Sequence, residues 1–164
     1  MTGTAFTPIA SQETPDAKTR TILIPLDASE VTPKVLDWIT QTLLDPKRDL
    51  LVLFSAYKSA GRELPIAVGF DFDGAVHRLN AEYQKAAESL LAEACRELNA
   101  KGIACKAIVQ CGDPRQLIEQ QIVKNKVDLV VMGKSKRGKV ARMFMGSVTN
   151  HVIHSAPCPV LLLP

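Results

Sequence analysis

Aromatic residues make up only 5% of this 164-residue chain, a single Trp, two Tyr and five Phe. Any core must therefore be aliphatic, and with 46% hydrophobic and 23% charged residues the chain is globular over most of its length. Cysteine is sparse as well. Cys95, Cys105, Cys111 and Cys158 form no C-x-x-C pair, so they are expected as buried structural thiols in a reducing, cytoplasmic compartment. No apolar run approaches 18 residues and no charged segment precedes a short apolar one, so neither a membrane partner nor a secretory leader is expected. The net charge of +3 is too small to imply nucleic acid as a partner. Catalytic and metal patterns are also missing. His151 and His154 stand three residues apart with Cys158 beyond them, but Pro157 directs the chain away before a third ligand could join. No Ser-His-Asp, Cys-His or Glu pair is set by spacing, which leaves no catalytic centre.

The length suits one domain able to bury a core unaided. Residues 1–18, rich in Thr, Ser, Pro and Ala and without periodicity, are expected as a flexible tail, leaving 19–164 as the folded domain. From Thr21 the sequence TILIPLD is a short β-branched run ending at a carboxylate, which predicts a strand buried on both faces. Ser29 then precedes Val31, Val35, Leu36, Ile39, Leu43 and Leu44, a helical stripe that Asp45-Pro46 ends. In that helix Leu36 and Trp38 are expected against the sheet. DLLVLFSA, at 49–56, is a second buried strand. The glycines and prolines of 58–75 predict a long loop, and Leu79 to Leu98 repeat at three and four to give a helix over about 77–100. ACKAIVQ is a third strand, and Asp113-Pro114 a helix start with Pro at its first position. Asp128 to Met132 is a fourth strand and Val160 to Leu163 a fifth. Strands that alternate with helices predict an α/β fold, an open parallel sheet with helices on both faces, whose ligands bind at strand carboxyl ends.

The segment Val127 to Val148 carries the most chemistry. A buried strand ends at Gly133, a basic loop follows with Lys134, Lys136, Arg137, Lys139 and Arg142, and Gly146-Ser147 opens the last helix. Backbone N–H groups of a Gly-bearing loop and a helix N-terminus form an anion cradle, and the natural guest is a phosphate. Five cations within nine residues would attract a polyphosphate. Ser147 is also a good N-cap with or without a ligand. GKSKRGK matches Walker A spacing, but Val140 stands where Ser or Thr would hold magnesium, so a P-loop NTPase is the weakest of the readings.

ILIPLDASE near the N-terminus, GDP after the third strand, DLVVMG, and GSVTNHVIHSAPCPVLLLP at the C-terminus together resemble the universal stress protein family over about residues 20–164. The family pattern runs glycine, two residues, glycine, nine residues, then Gly-Ser or Gly-Thr. Gly133 and Gly146-Ser147 occupy its outer positions, and Lys136 replaces the second glycine. The resemblance implies a five-stranded sheet of order 3-2-1-4-5 and bound ATP or AMP, with or without magnesium. By position it implies that Asp27, with Pro25 beside it, meets adenine and ribose, and that Ala56 lines the adenine slot through its backbone. It also implies that Gly133, Gly146, Ser147 and Val148 face the phosphates. Lys134, Lys136, Arg137 and Gly138 complete the candidate set. Without a placed general base, slow ATP hydrolysis is the most that is expected of such a site. If the backbone at Lys136 must be left-handed, its side chain costs roughly 1–2 kcal/mol, about tenfold in affinity. Gly138, two residues on, could take over the turn. The alternative is a nucleotide-free, dimeric interaction protein of the same fold. In either case the apolar last strand, Val160 to Leu163, lies at the sheet edge in that order and implies a homodimer through it.

Overall fold

The computed structural model describes residues 20–29, 31–62, 72–134 and 146–164. The expected tail 1–18 and the loop positions Lys136, Arg137 and Gly138 lie outside the described residues. Five parallel strands, β1 (Arg20–Pro25), β2 (Asp49–Tyr57), β3 (Cys105–Cys111), β4 (Leu129–Gly133) and β5 (Val160–Leu163), form one sheet in the order β3-β2-β1-β4-β5. Among the described residues the connections run through α1 (Val31–Trp38), α2 (Phe72–Ala100), α3 (Pro114–Lys124) and α4 (Ser147–Ser155).

The period-two geometry of a strand sends successive side chains to opposite faces, and this sheet is apolar on both. Ile22, Ile24, Leu51, Leu53, Ala107, Val109 and Val131 pack with Val35, Ile39, Leu91 and Leu98 under α1 and α2. The alternate residues Leu23, Val52, Phe54, Ile108, Val130 and Met132 pack with Ile118, Ile122 and Val152 under α3 and α4. Both faces being covered explains why the strands read as continuous apolar runs.

Four features differ from the sequence expectation. Helix α1 passes at Ile39 into a π turn, Ile39–Leu43, closed by the Leu44 N–H donating to the Ile39 carbonyl at 3.0 Å. Trp38, at that junction, is exposed and not against the sheet. Helix α2 starts at Phe72, about five residues early. Gly74 therefore sits in its first turn, with Asp73 beside it, where a carboxylate suits the positive end of the helix dipole. Of the four cysteines only Cys95 is buried, and Cys111 is exposed.

The sheet opens at one place. Strand β1 stays paired with β2 as far as Pro25 and Phe54, and the Leu26 N–H continues that ladder to the Phe54 carbonyl at 2.7 Å. Its pairing with β4 ends at Leu23 and Val130. Strand β4 instead follows β5, with the Lys134 N–H donating to the Leu163 carbonyl at 2.8 Å. The chain order reverses between β1 and β4, so their carboxyl ends separate into the crevice where ligands of open α/β sheets sit.

Candidate functional site

That crevice is a cleft of about 230 Å³. Its floor and walls come from Pro25, Leu26 and Asp27 after β1, Phe54 and Ala56 in β2, Met132 and Gly133 in β4, and Val31, Thr32 and Val35 of α1. Pro114 and Ile118 of α3 and Val148 of α4 close it. Pro25, Asp27, Ala56, Gly133 and Val148, expected from the sequence to share a site, are thus brought together. Gly146 and Ser147 stand just beyond, at the start of α4, and Lys134 follows β4 directly.

Asp27 is held by its own turn. Its carboxylate accepts the Ser29 N–H at 3.2 Å, and the Thr32 hydroxyl donates to its carbonyl at 2.6 Å. These bonds fix the entry to α1 and keep Asp27 in the cleft wall beside Ser29 and Thr32. Apolar walls with a few placed polar groups are the usual form of a small-molecule site.

Gly133 has a structural duty that its sequence context does not reveal. Its backbone is not left-handed. A Cβ built there would lie 2.4 Å from Val31 Cγ1 and 2.8 Å from Val35 Cγ2, so the glycine is what lets α1 approach the end of β4. Gly146 is the opposite case, since a Cβ there would meet nothing within 4 Å.

Ser147 is not the N-cap. Gly146, extended at φ −55° and ψ 149°, occupies that position and, as a glycine, makes no side-chain cap bond. Both residue types suit an N-cap, and the chain enters the helix one residue earlier than expected. The first N–H donated within α4 is that of Asn150, to the Gly146 carbonyl at 2.9 Å. The N–H groups of Ser147, Val148 and Thr149 precede the helical ladder and give the end of α4 its anion-attracting character. Helix α3 differs. Asp113 caps it through the Arg115 N–H at 3.0 Å, as the Asp-Pro signal predicts.

A second, larger cleft of about 740 Å³ adjoins the first, sharing Pro114 and Val148 with it. The sequence reading missed it. Lys58, Ser59, Cys111, Gly112, Asp113, Arg115, Gln116 and Ser147 complete its lining. The pairing of Tyr57 with Cys111 brings the ends of β2 and β3 side by side, and the Gly112 N–H donates to the Tyr57 carbonyl at 2.8 Å. Gly112, at φ +150°, takes a backbone conformation that favours glycine. The Asp113 carboxylate accepts from Arg115 Nε at 3.0 Å and Nη2 at 2.6 Å. Those guanidinium bonds and the Arg115 N–H lower its pKa to about 2. His151 of α4 and Glu119 of α3 pair at 2.8 Å, fixing one helix to the other. Among the described residues no group of three His, Cys, Asp or Glu is placed to hold a metal ion, and no helix is long and apolar enough to cross a membrane.

Comparison with known proteins agrees with this architecture. The family model described as "Universal stress protein family" matches residues 18–164. Universal stress protein Sll1388 of Synechocystis sp. is 28% identical over 148 residues, 87% of this chain and 96% of the relative. Among solved structures, universal stress protein UspA from Lactobacillus plantarum superimposes with a TM-score of 0.73 at 18% identity, covering 91% of this chain and 100% of the other. A universal stress protein family protein from Arabidopsis thaliana with AMP bound does so with a TM-score of 0.59 at 16% identity, covering 88% and 90%. At these identities the two structures establish a shared fold.

Proposed function

This chain belongs to the universal stress protein family, and we propose that it is a stress-response binding module that works by holding ATP or AMP, with or without magnesium. The observation that carries this reading is the convergence of Asp27, Ala56, Gly133 and Val148, from four separate elements, on one cleft at the topological switch of the sheet. The AMP bound to the Arabidopsis thaliana protein of the same fold supports an adenine nucleotide as the guest. Asp27 would take the ribose and adenine end and Ala56 the base through its backbone. Gly133, Gly146, Ser147 and Val148 would offer N–H groups to phosphate, with Lys134 close by as a cation. Lys136, Arg137 and Gly138 belong to the same proposal from their places in the sequence. The chain would work in the cytoplasm as a regulator, with slow ATP hydrolysis at most. Calorimetric titration tests it: ATP or AMP binds the wild-type chain below millimolar, and Asp27→Ala weakens that binding at least tenfold while the protein still melts cooperatively.

The dimer belongs to the same proposal. Among the described residues strand β5 pairs on one side only, with β4, and Val160, Leu161 and Leu162 remain partly exposed. An apolar edge of this kind invites antiparallel pairing with a second copy. Sedimentation at micromolar concentration should give a dimer that Leu161→Lys dissociates; a wild-type monomer under those conditions contradicts it.

A further inference from the structure

Two of the four cysteines meet where α2 gives way to β3. Cys95 is enclosed in the core under α2, Cys105 opens β3, and their thiols hydrogen-bond to each other. Cys105 Sγ also stands 3.7 Å from the Cys95 carbonyl oxygen and 3.8 Å from Asn99 Oδ1. The chain itself builds this approach. The Leu98 carbonyl accepts the Lys101 and Ile103 N–H groups at 3.0 Å each, and Gly102, at φ +74°, turns the strand back against the helix it has just left. Cys105 is half-buried, so it is the sulfur of the pair that solvent reaches. The hydrogen bond from Cys105 holds the Cys95 thiol below its ordinary value in spite of burial, and the same contact, with burial, pushes Cys105 up. The pair thus releases one proton more readily than a lone thiol and keeps the other, which can sit on either sulfur.

We propose that Cys95 and Cys105 form a redox-sensitive dithiol, closed to a disulfide by hydrogen peroxide and reopened by a thiol reductant. With the shared proton on Cys95, the Cys105 thiolate attacks one peroxide oxygen. The O–O bond breaks, the departing hydroxide takes up the proton that the pair released, and Cys105 becomes a sulfenic acid. The Cys95 sulfur then attacks Cys105 Sγ. The S–O bond breaks, and its hydroxide leaves as water with the Cys95 proton. The two sulfurs are oxidised together by two electrons, and one peroxide is reduced to two waters. In a reducing compartment such a bond is transient, which makes the pair a sensor and not a permanent staple. The proposal stands apart from the nucleotide reading, because the clefts lie at the carboxyl ends of the strands and Cys105 is at the opposite end of β3.

The test treats the full chain with hydrogen peroxide, blocks the remaining thiols by alkylation and maps the tryptic peptides by mass spectrometry. Arg96 and Lys101 lie between the two cysteines, so the disulfide leaves residues 86–96 and 102–106 joined in one species that dithiothreitol splits. The wild type should give that species faster in buffer than in denaturing urea, where the fold no longer brings the sulfurs together. Cys95→Ala should give none of it and accumulate at Cys105 a sulfenic acid that dimedone traps. Cys105→Ala should give neither product. Oxidation of Cys111 or Cys158 while Cys95 and Cys105 stay reduced would overturn the proposal. So would joining that is equally fast in urea, a comparison that needs neither variant to fold.

Discussion

Replacing Arg20 with Met should lower the unfolding free energy by about 3 kcal/mol, the low end of the penalty for stranding a buried charge. For a chain of this size that corresponds to a melting point lower by about 6–12 °C. The reason lies in Asp49, only 3% exposed at the start of β2. Its carboxylate accepts Arg20 Nε at 2.8 Å and Nη2 at 2.5 Å, and the Asp45 N–H at 2.8 Å. Arg20 Nη2 also reaches the Leu43 carbonyl at 3.1 Å, tying β1, β2 and the π turn together. Burial pushes the Asp49 carboxyl up, but the Arg20 hydrogen bonds, the Asp45 N–H and the nearby positive charges together hold it below its ordinary value. A group depressed in the folded state contributes stability that is present above the unfolded carboxylate range, about pH 4, and is lost as pH falls through the folded value. In Arg20→Met the balance inverts, because burial remains and its counterweight is gone. The variant's deficit should therefore shrink as pH is lowered from 7 through the carboxylate range. Chemical denaturation at a series of pH values checks this, and a deficit that stays constant with pH would mean lost packing and not a stranded charge.

Gly133→Ala should cost about 2 kcal/mol and loosen nucleotide binding together with the fold. The added methyl would sit 2.4 Å from Val31 Cγ1 and 2.8 Å from Val35 Cγ2. Neither valine can swing aside cheaply, since β-branched side chains in a helix hold essentially one rotamer. Helix α1 must move away from β4, and Val31, Thr32 and Val35 line the first cleft. Adding Val31→Ala to Gly133→Ala should recover part of the loss, a coupling that a double-mutant cycle reads directly. An alanine variant that melts within about a degree of wild type would show that the approach of α1 to β4 is not set by the glycine.

Much of this fold is legible in the sequence because a doubly covered parallel sheet writes itself as separate runs of β-branched residues with helical stripes between them. TILIP, DLLVLFSA and DLVVM each become strands, and Asp113-Pro114 opens α3 as its capping chemistry dictates. The π turn escapes because five residues cannot separate a 3.6 from a 4.4 period. The start of α2 escapes because Gly74, which marks a loop by its type, costs a helix little within the first turn. The cap of α4 falls one residue before Ser147 because glycine and serine both serve there and only the backbone decides.

The site divides in the same way. Asp27, Gly133 and Val148 are legible because each stands where a strand ends or a helix begins. Lys58 is not, since it lies in a stretch without pattern and acquires its neighbours only when Tyr57 pairs with Cys111 across parallel strands. The packing role of Gly133 is hidden for a similar reason. A glycine in a sequence signals freedom or space, and only the packing of Val31 and Val35 shows that space is what it supplies.

The central claim is that the cleft between β1 and β4 holds an adenine nucleotide beside Asp27. Calorimetric titration of ATP and AMP into the wild-type chain and into Asp27→Ala tests it most directly. The predicted result is binding below millimolar for the wild type and at least a tenfold loss in the variant. No binding below millimolar by the wild-type chain, or equal affinity in the two proteins, would contradict it.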